Sequence, residues 1–170
     1  EDNVKVLNIE SSDNGTLRNS MIPTLLTAVS DNKDFKESFG IFEIGRVVKG
    51  LKADGTANEK RALGIVLFDK KGSEKDLFFK ALNIVNTLVL SIKHKAPEFN
   101  KTTPAHAYEH PKNTAEILCD NVNVGVINTL HPAVAAKLDK TGKAVCIEID
   151  VDDNSVYIKR STLTAPTETL

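Results

Sequence analysis

The chain has 170 residues, of which 41% are hydrophobic and 26% charged, and its formal net charge is −1. This length can hold one domain with a sizeable core, and the composition is that of an ordinary globular protein. Because acidic and basic residues balance and no basic stripe is present, the sequence argues against a dedicated nucleic-acid binder. No apolar run reaches the roughly 18 residues that a membrane-spanning helix needs, so no membrane association is expected.

The first part of the chain predicts a strand followed by a helix. Residues 4–9 alternate apolar and polar side chains, as a half-buried strand does, and a turn-like stretch follows them. From Leu17 to Val29, apolar residues recur at helical spacing. Because Pro23 lies inside this run, either the helix begins near Pro23 as a first-turn residue or a short turn precedes it. Ser20 could then cap the helix by accepting a backbone N–H.

Further strands are predicted in hairpins. They are expected over residues 39–48, 61–68, 114–119, 123–128 and 144–151. Asp54-Gly55 separates the first two and is a strong hairpin-turn signal. Asp120-Asn121 separates the next two and also fits a tight turn.

Two further helices are predicted. Residues 77–92 are the clearest helix, because one face collects the apolar side chains Leu77, Phe78, Ala81, Leu82, Val85, Leu88 and Val89. Either Ser73 or Lys75-Asp76 could start this helix, and Pro97 lies beyond its end. Residues 132–138 suffice for a short helix with Pro132 in its first turn.

These elements predict an α+β fold, an antiparallel sheet flanked by helices. We expect one domain over residues 1–152, taken from a longer or processed chain because Glu1 is not an initiator methionine, and a poorly packed tail over 153–170. Cys119 and Cys146 lie in apolar runs, which favours free buried thiols over a disulfide. Gly64 and Gly125 lie within predicted strands, where a bulge or a close backbone approach is expected.

Two segments in fixed order carry the most specific signal. Residues 17–26 read Leu-Arg-Asn-Ser-Met-Ile-Pro-Thr-Leu-Leu, and residues 42–48 read Phe-Glu-Ile-Gly-Arg-Val-Val. They resemble the phenylalanyl-tRNA synthetase β chain, which carries Leu-Arg-Thr-Ser-Leu-Leu-Pro-Gly-Leu-Leu and Phe-Glu-Ile-Gly-Arg-Val-Phe. Stretches similar to this family follow in the same order at residues 76–81, 110–117, 124–132 and 146–151. The positions that carry the family pattern, and to which the resemblance assigns a structural role, are Leu17, Arg18, Pro23, Phe42, Glu43, Gly45, Arg46, Phe79, Lys80, His110, Gly125, His131 and Pro132.

The resemblance implies a module shaped like the core of a class II aminoacyl-tRNA synthetase. It implies that the whole enzyme is a cytoplasmic (αβ)₂ heterotetramer, which uses ATP and Mg²⁺ to join phenylalanine to its tRNA, with the active site in the α chain. This module would pack beside the α chain, hold no cofactor or metal of its own, and reach tRNA only through the whole enzyme.

Departures from the class II motifs concern the residues that bind the nucleotide. Aligning the family's motif 2 strand puts Lys49 at the catalytic arginine position and Leu51 where an acidic residue is expected. Arginine grips phosphate and carboxylate oxygens with a rigid fork, whereas lysine supplies only a point charge. Where the glycine-rich motif 3 should follow the last strand, the chain has Asp152-Asp153-Asn154. The resemblance therefore implies an inherited fold that has lost its chemistry, so that no residue is expected to be catalytic.

Two histidines could suggest a metal site. His106 and His110 have the spacing of two ligands on one helix face, but Ala107 stands where the metalloprotease pattern has glutamate, and Pro111 disfavours helical geometry. Ordinary polar histidines in a strand or loop are the favoured interpretation. His131 is expected to cap or orient the short helix that follows it.

Other functions remain open at this point. Arg46 is expected to pair with an acidic neighbour or a backbone carbonyl, with contact to a partner chain as the alternative. The chain could also be a stand-alone ATP-dependent ligase-like enzyme built on Lys49, or a module that docks protein or RNA through its sheet. RNA is the weaker of these two partners, because only two tyrosines and no tryptophan are available for base stacking.

Overall fold

The computed structural model describes residues 17–151. The predicted strand at 4–9, the turn after it, Asp152-Asp153-Asn154 and the tail at 153–170 lie outside the described residues. The elements within the described part are α1 (Ile22–Asn32), β1 (Ser38–Leu51), β2 (Ala57–Asp69), α2 (Glu74–Lys93), β3 (Glu98–Lys101), β4 (Glu109–Cys119), β5 (Val122–Leu130), α3 (Pro132–Leu138) and β6 (Lys143–Asp150).

The six strands form one sheet in the order β1-β2-β6-β5-β4-β3, and every neighbouring pair is antiparallel. Strand β6, the last of the described elements, lies between β2 and β5, so it joins the β1–β2 hairpin to the β3–β4–β5 unit. Helices cover both faces of this sheet. The predicted α+β fold with an antiparallel sheet flanked by helices is therefore confirmed.

The core divides into two clusters, one on each face of the sheet, because side chains alternate along each strand. On the first face, α1 and α3 cover the sheet; its buried members include Met21, Ile22, Leu25, Val29, Val47, Ala62, Val66, Phe68, Leu138 and Cys146. On the second face, α2 packs against Leu67, Ile117, Ile127, Val145, Ile147 and Ile149. We refer to these as the α1 face and the α2 face.

The helices form where apolar periodicity predicted them. Pro23 lies in the first turn of α1, and Leu77, Ala81, Val85 and Val89 form the buried stripe of α2. The Ser73 hydroxyl accepts a hydrogen bond from the Asp76 N–H at 3.0 Å, which settles that α2 begins at Glu74. The helix starts before residue 77 because Ser73 caps its first turn. That turn begins with polar residues, so the apolar periodicity does not show it. Within the described range, no helix is both long and apolar enough to cross a membrane.

The turns confirm the hairpin signals. Gly55 has a φ of 80°, and Asp120 and Asn121 have φ of 53° and 62°, the left-handed pair that a two-residue type I′ turn requires. Strand β3 was not predicted, since its four residues are mostly exposed and too few to show a period. Strand β2 begins four residues earlier than expected, because its first residues pair with the end of β1.

The glycines within strands mark close approaches, as expected. A Cβ on Gly64 would lie 2.6 Å from the Met21 Cβ, so α1 can pack directly on β2 only because this position lacks a side chain. A Cβ on Gly125 would collide with the backbone of Glu148 on the neighbouring strand. Cys119 and Cys146 are both free and buried, which confirms the prediction for the thiols.

Asp139 lies in the loop between α3 and β6, and its contribution to stability is expected to depend on pH. Its carboxylate accepts the Thr141 and Gly142 N–H groups at 2.9 and 2.8 Å, and these bonds lower its pKa from 3.8 to about 2. Because the folded-state pKa is depressed, the stabilisation is present above about pH 4 and is lost as pH falls towards 2.

We therefore expect Asp139→Asn to lower the free energy of unfolding by ~1–2 kcal/mol at pH 7, with the difference shrinking as pH falls from 4 to 2. Urea unfolding across this range measures it. A difference that does not depend on pH would contradict the assigned role of the charge.

Candidate functional site

A concavity of about 310 Å³ lies on the α1 face, and we call it the central groove. Its wall includes residues from β1, β2, β4, β5 and β6, and from the loop that leads into β4. The charged side chains that line it are Lys49, Lys60, Arg61, Glu109, Glu116, Glu148 and Asp150. Carboxylates therefore outnumber the permanently cationic side chains.

The Glu148 carboxylate accepts three hydrogen bonds in the groove. It is 7% exposed, and its Oε2 accepts hydrogen bonds from the Ser20 hydroxyl and the Met21 N–H, both at 2.7 Å. Its Oε1 accepts a hydrogen bond from Lys49 Nζ at 3.0 Å. The carboxylate thus lies at the N-terminal end of α1, where the free backbone N–H groups of a helix favour a negative charge.

Lys49, whose side chain is 41% exposed, makes two bonds to other groups of the domain. Besides its ion pair with Glu148, its Nζ donates to the Asn19 carbonyl at 2.8 Å. Lys49 is the residue that aligns with the catalytic arginine of the class II motif 2. Its charge is already compensated within the domain.

Tyr108, in the loop that leads into β4, belongs to the same hydrogen-bond network as Ser20 and Glu148. Ser20 has a single hydroxyl proton, which it gives to Glu148, so the Tyr108 hydroxyl must donate to Ser20 Oγ at 3.0 Å. Ser20 Oγ also accepts the Ile22 N–H at 3.1 Å, so Ser20 satisfies a backbone donor of the helix as predicted, but the N-cap position is Met21 and Ser20 lies one residue before it. Burial raises the pKa of Tyr108 far above its ordinary value, so the phenol stays protonated and keeps its donor role.

A second cluster brings together four of the predicted family positions. Arg18 donates from Nε to the Arg46 carbonyl at 2.9 Å and from Nη2 to Glu43 Oε1 at 3.0 Å. A Cβ on Gly45 would collide with the Arg18 guanidinium. Glu43 and Arg46 therefore bind the Arg18 side chain, and Gly45 leaves room for it. These contacts fix the segment that leads into α1.

The other predicted positions are dispersed. Arg46 itself pairs with Glu59 at 3.0 Å on the surface, as expected. Phe42 lies on the α2 face of β1, Phe79 and Lys80 are exposed on α2, and Leu17 begins the described part of the chain.

His131 precedes α3, where its Nδ1 accepts the Ala133 N–H at 3.2 Å, and Pro132 follows in the first turn. The prediction that His131 caps this helix is confirmed.

The two histidines with ligand-like spacing serve other purposes. His110 Nδ1 accepts the N–H groups of Lys112 and Asn113 at 3.0 and 3.1 Å, across a stretch where β4 is irregular and Pro111 supplies no donor. The His106 ring stacks on Tyr108 at 5.2 Å. Among residues 17–151, no group of three or more potential ligands is arranged to hold a metal ion.

Sequence reasoning did not identify Glu148 and Tyr108 as site residues. The available signal was a single acidic residue within the apolar run Val145–Ile149, since a carboxylate in a buried strand requires a partner. Nothing local indicates which partner it has, because Ser20 lies 128 residues away.

The network predicts the effect of Ser20→Ala. This change leaves the Tyr108 hydroxyl without its acceptor and Glu148 without one donor, so we expect the free energy of unfolding to fall by ~1–3 kcal/mol. Chemical denaturation measures it, with Ser30→Ala on the exposed side of α1 as the matched control. Equal effects of the two changes would show that the buried network contributes nothing.

Comparisons with known proteins agree with this geometry. The family model of the phenylalanyl-tRNA synthetase β chain CLM domain matches residues 1–151. The chain is 29% identical over 150 residues to the phenylalanine–tRNA ligase β subunit of Solibacter usitatus, covering 87% of this chain and 18% of that protein. It is 30% identical over 152 residues to the β subunit of Saccharolobus solfataricus, covering 88% of this chain and 26% of that protein.

A solved structure supports the fold. The chain resembles the pyrrolysyl-tRNA synthetase PylSc of Desulfitobacterium hafniense with a TM-score of 0.58 and 18% identity, over 79% of this chain and 47% of that chain. This likeness confirms the predicted class II synthetase-like core. The chain spans about a fifth to a quarter of the two β subunits described above. Because the family model matches residues 1–151 of the 170, the chain belongs to the CLM-domain family of phenylalanyl-tRNA synthetase β chains.

Proposed function

We propose that this chain is the non-catalytic, synthetase-core-like module of a phenylalanine–tRNA ligase β subunit. It supports assembly with an α chain in an (αβ)₂ enzyme of the cytoplasm, which uses ATP and Mg²⁺ to attach phenylalanine to its tRNA. Catalysis belongs to the α chain, and tRNA is engaged by the whole enzyme. The observation that carries the proposal is the internal pairing of Lys49, the residue aligned with the catalytic arginine of class II enzymes, with Glu148 in the central groove.

The residues of the central groove do not fit a nucleoside triphosphate. Stabilising the charge of transferring phosphoryl groups requires cations aimed at the reacting oxygens. Here four carboxylates face three cationic side chains, and Lys49 already bonds to Glu148 and Asn19. Leu51, where an acidic residue was expected, is exposed and apolar. No step of nucleotide chemistry is therefore assigned to this domain.

Inactivity can be measured directly. We expect the chain alone to catalyse no phenylalanine-dependent ATP–pyrophosphate exchange above a protein-free control. Lys49→Arg should remain inactive, because Glu148 would still compensate the introduced guanidinium. Exchange that saturates with phenylalanine, in either protein, would overturn the proposal, and an intact αβ enzyme serves as the positive control.

An exposed apolar surface supports the role in assembly. Phe42 and Ile44 are 74% and 59% exposed, next-but-one neighbours on the α2 face of the edge strand β1. Each stands opposite an apolar residue of β2, Ile65 and Leu63. Adjacent exposed apolar side chains on a sheet edge are typical of a surface that another chain covers.

We expect the double change Phe42→Thr and Ile44→Thr to weaken binding to the companion α chain by at least about tenfold, because two apolar contacts are removed. Threonine keeps the strand propensity, so stability should change by less than ~0.5 kcal/mol. Titration calorimetry measures the affinity. Leu51→Thr, an equally exposed apolar position at the end of β1, is the control, and equal losses in both proteins would argue against this surface.

A further inference from the structure

A second concavity, of about 480 Å³, lies on the α2 face, and we call it the lysine trough. It lies between the first turns of α2 and strands β3, β4 and β5, and it shares no lining residue with the central groove. Phe78, Phe79 and Ala115 provide its apolar wall, and Phe79 is 52% exposed although it is a large aromatic residue. The trough therefore offers an apolar surface that the described residues leave uncovered.

Three lysines surround this apolar wall: Lys75 from α2, Lys101 from β3 and Lys112 from β4. Among residues 17–151, no carboxylate lies within ion-pair distance of any of the three. Lys75 Nζ lies 6.0 Å from the centre of the Phe79 ring. The one acidic residue of the trough, Glu74, accepts a hydrogen bond from Asn113 Nδ2 at 3.4 Å. With three lysines and one carboxylate, the lining carries an excess of positive charge.

Thr129 adds a second, independent observation. It lines the trough, is 1% exposed, and within the described part of the chain its Oγ1 is the one buried side-chain oxygen or nitrogen without a hydrogen-bond partner. An unsatisfied buried hydroxyl costs ~1–3 kcal/mol. A ligand that carries an acceptor group into the trough would remove this cost.

We propose that the lysine trough binds a small organic acid, a carboxylate attached to an aromatic or branched aliphatic body. The volume lies within the range of ~300–1,000 Å³ of small-molecule sites. Phe78 and Phe79 take the apolar body, the lysines attract the carboxylate, and the Thr129 hydroxyl donates to it. A polyphosphate fits less well, because the wall is largely apolar and the charge excess is small.

The test is a titration of the ¹⁵N-labelled 170-residue chain with 2-naphthoate, followed by amide chemical shifts. We expect saturable shifts centred on Phe79, Ala115 and Thr129. 2-Naphthylmethylamine has the same ring system and the opposite charge, and it should bind at least about tenfold more weakly.

Variants locate the site. The double change Lys101→Gln and Lys112→Gln should weaken naphthoate binding at least about fivefold. Phe79→Ala should weaken it by a similar factor, and Thr129→Val, which keeps the volume and removes the donor, by at least about threefold. Lys140→Gln, an exposed lysine before β6, is the matched control and should leave the affinity unchanged.

Several outcomes would overturn the proposal. Equal binding of the amine would show unspecific apolar adsorption, and affinity unchanged by all three variants would place binding elsewhere. An acidic aromatic hexapeptide that binds while naphthoate does not would make the trough a protein-docking surface. Absence of any saturable shift with naphthoate would exclude the site.

Discussion

The carboxylate of Glu148 connects the start of α1, strand β1 and, through Ser20, the loop that leads into β4. It accepts from the first turn of α1, from Lys49 on β1 and from the Ser20 hydroxyl, which in turn accepts from Tyr108. Removing such a charge from water is costly, and the cost is offset only when each oxygen is bonded. The helix is therefore fixed to the sheet at a polar point, with the apolar cluster of the α1 face around it.

Under the proposed function, this arrangement lets a synthetase-like fold persist without catalysing the reaction itself. An active site keeps its charged groups available for a ligand, and this incurs a cost in stability. In this domain, the charged groups of the central groove pair largely with one another: Lys49 with Glu148, and Lys60 with Asp150 at 3.0 Å. These ion pairs contribute to holding the strands of the domain together.

Local patterns predicted much of the fold, because helix α2, the two tight turns and the strand alternation depend on neighbours in sequence. The order of strands could not be predicted in this way, since β6 pairs with β2 and β5 through contacts between distant segments. The family pattern identified Glu43, Gly45 and Arg46, and the Arg18 contact gives its physical reason. Glu148 was missed because its partners lie on other elements, and a lone acid in an apolar strand does not name them.

The central position of β6 also bears on how the domain acquires its structure during synthesis. Ser20 and Glu148 are separated by 128 residues, and the β1–β2 hairpin reaches the β3–β4–β5 unit only through β6. Contacts of such long sequence separation require costly loop closure and make folding slow. Helix α1 emerges from the ribosome first among the described elements but cannot reach its buried anchor until β6 has been translated. Until then its apolar stripe can pack against the β1–β2 hairpin, but the polar anchor that fixes the start of the helix is missing.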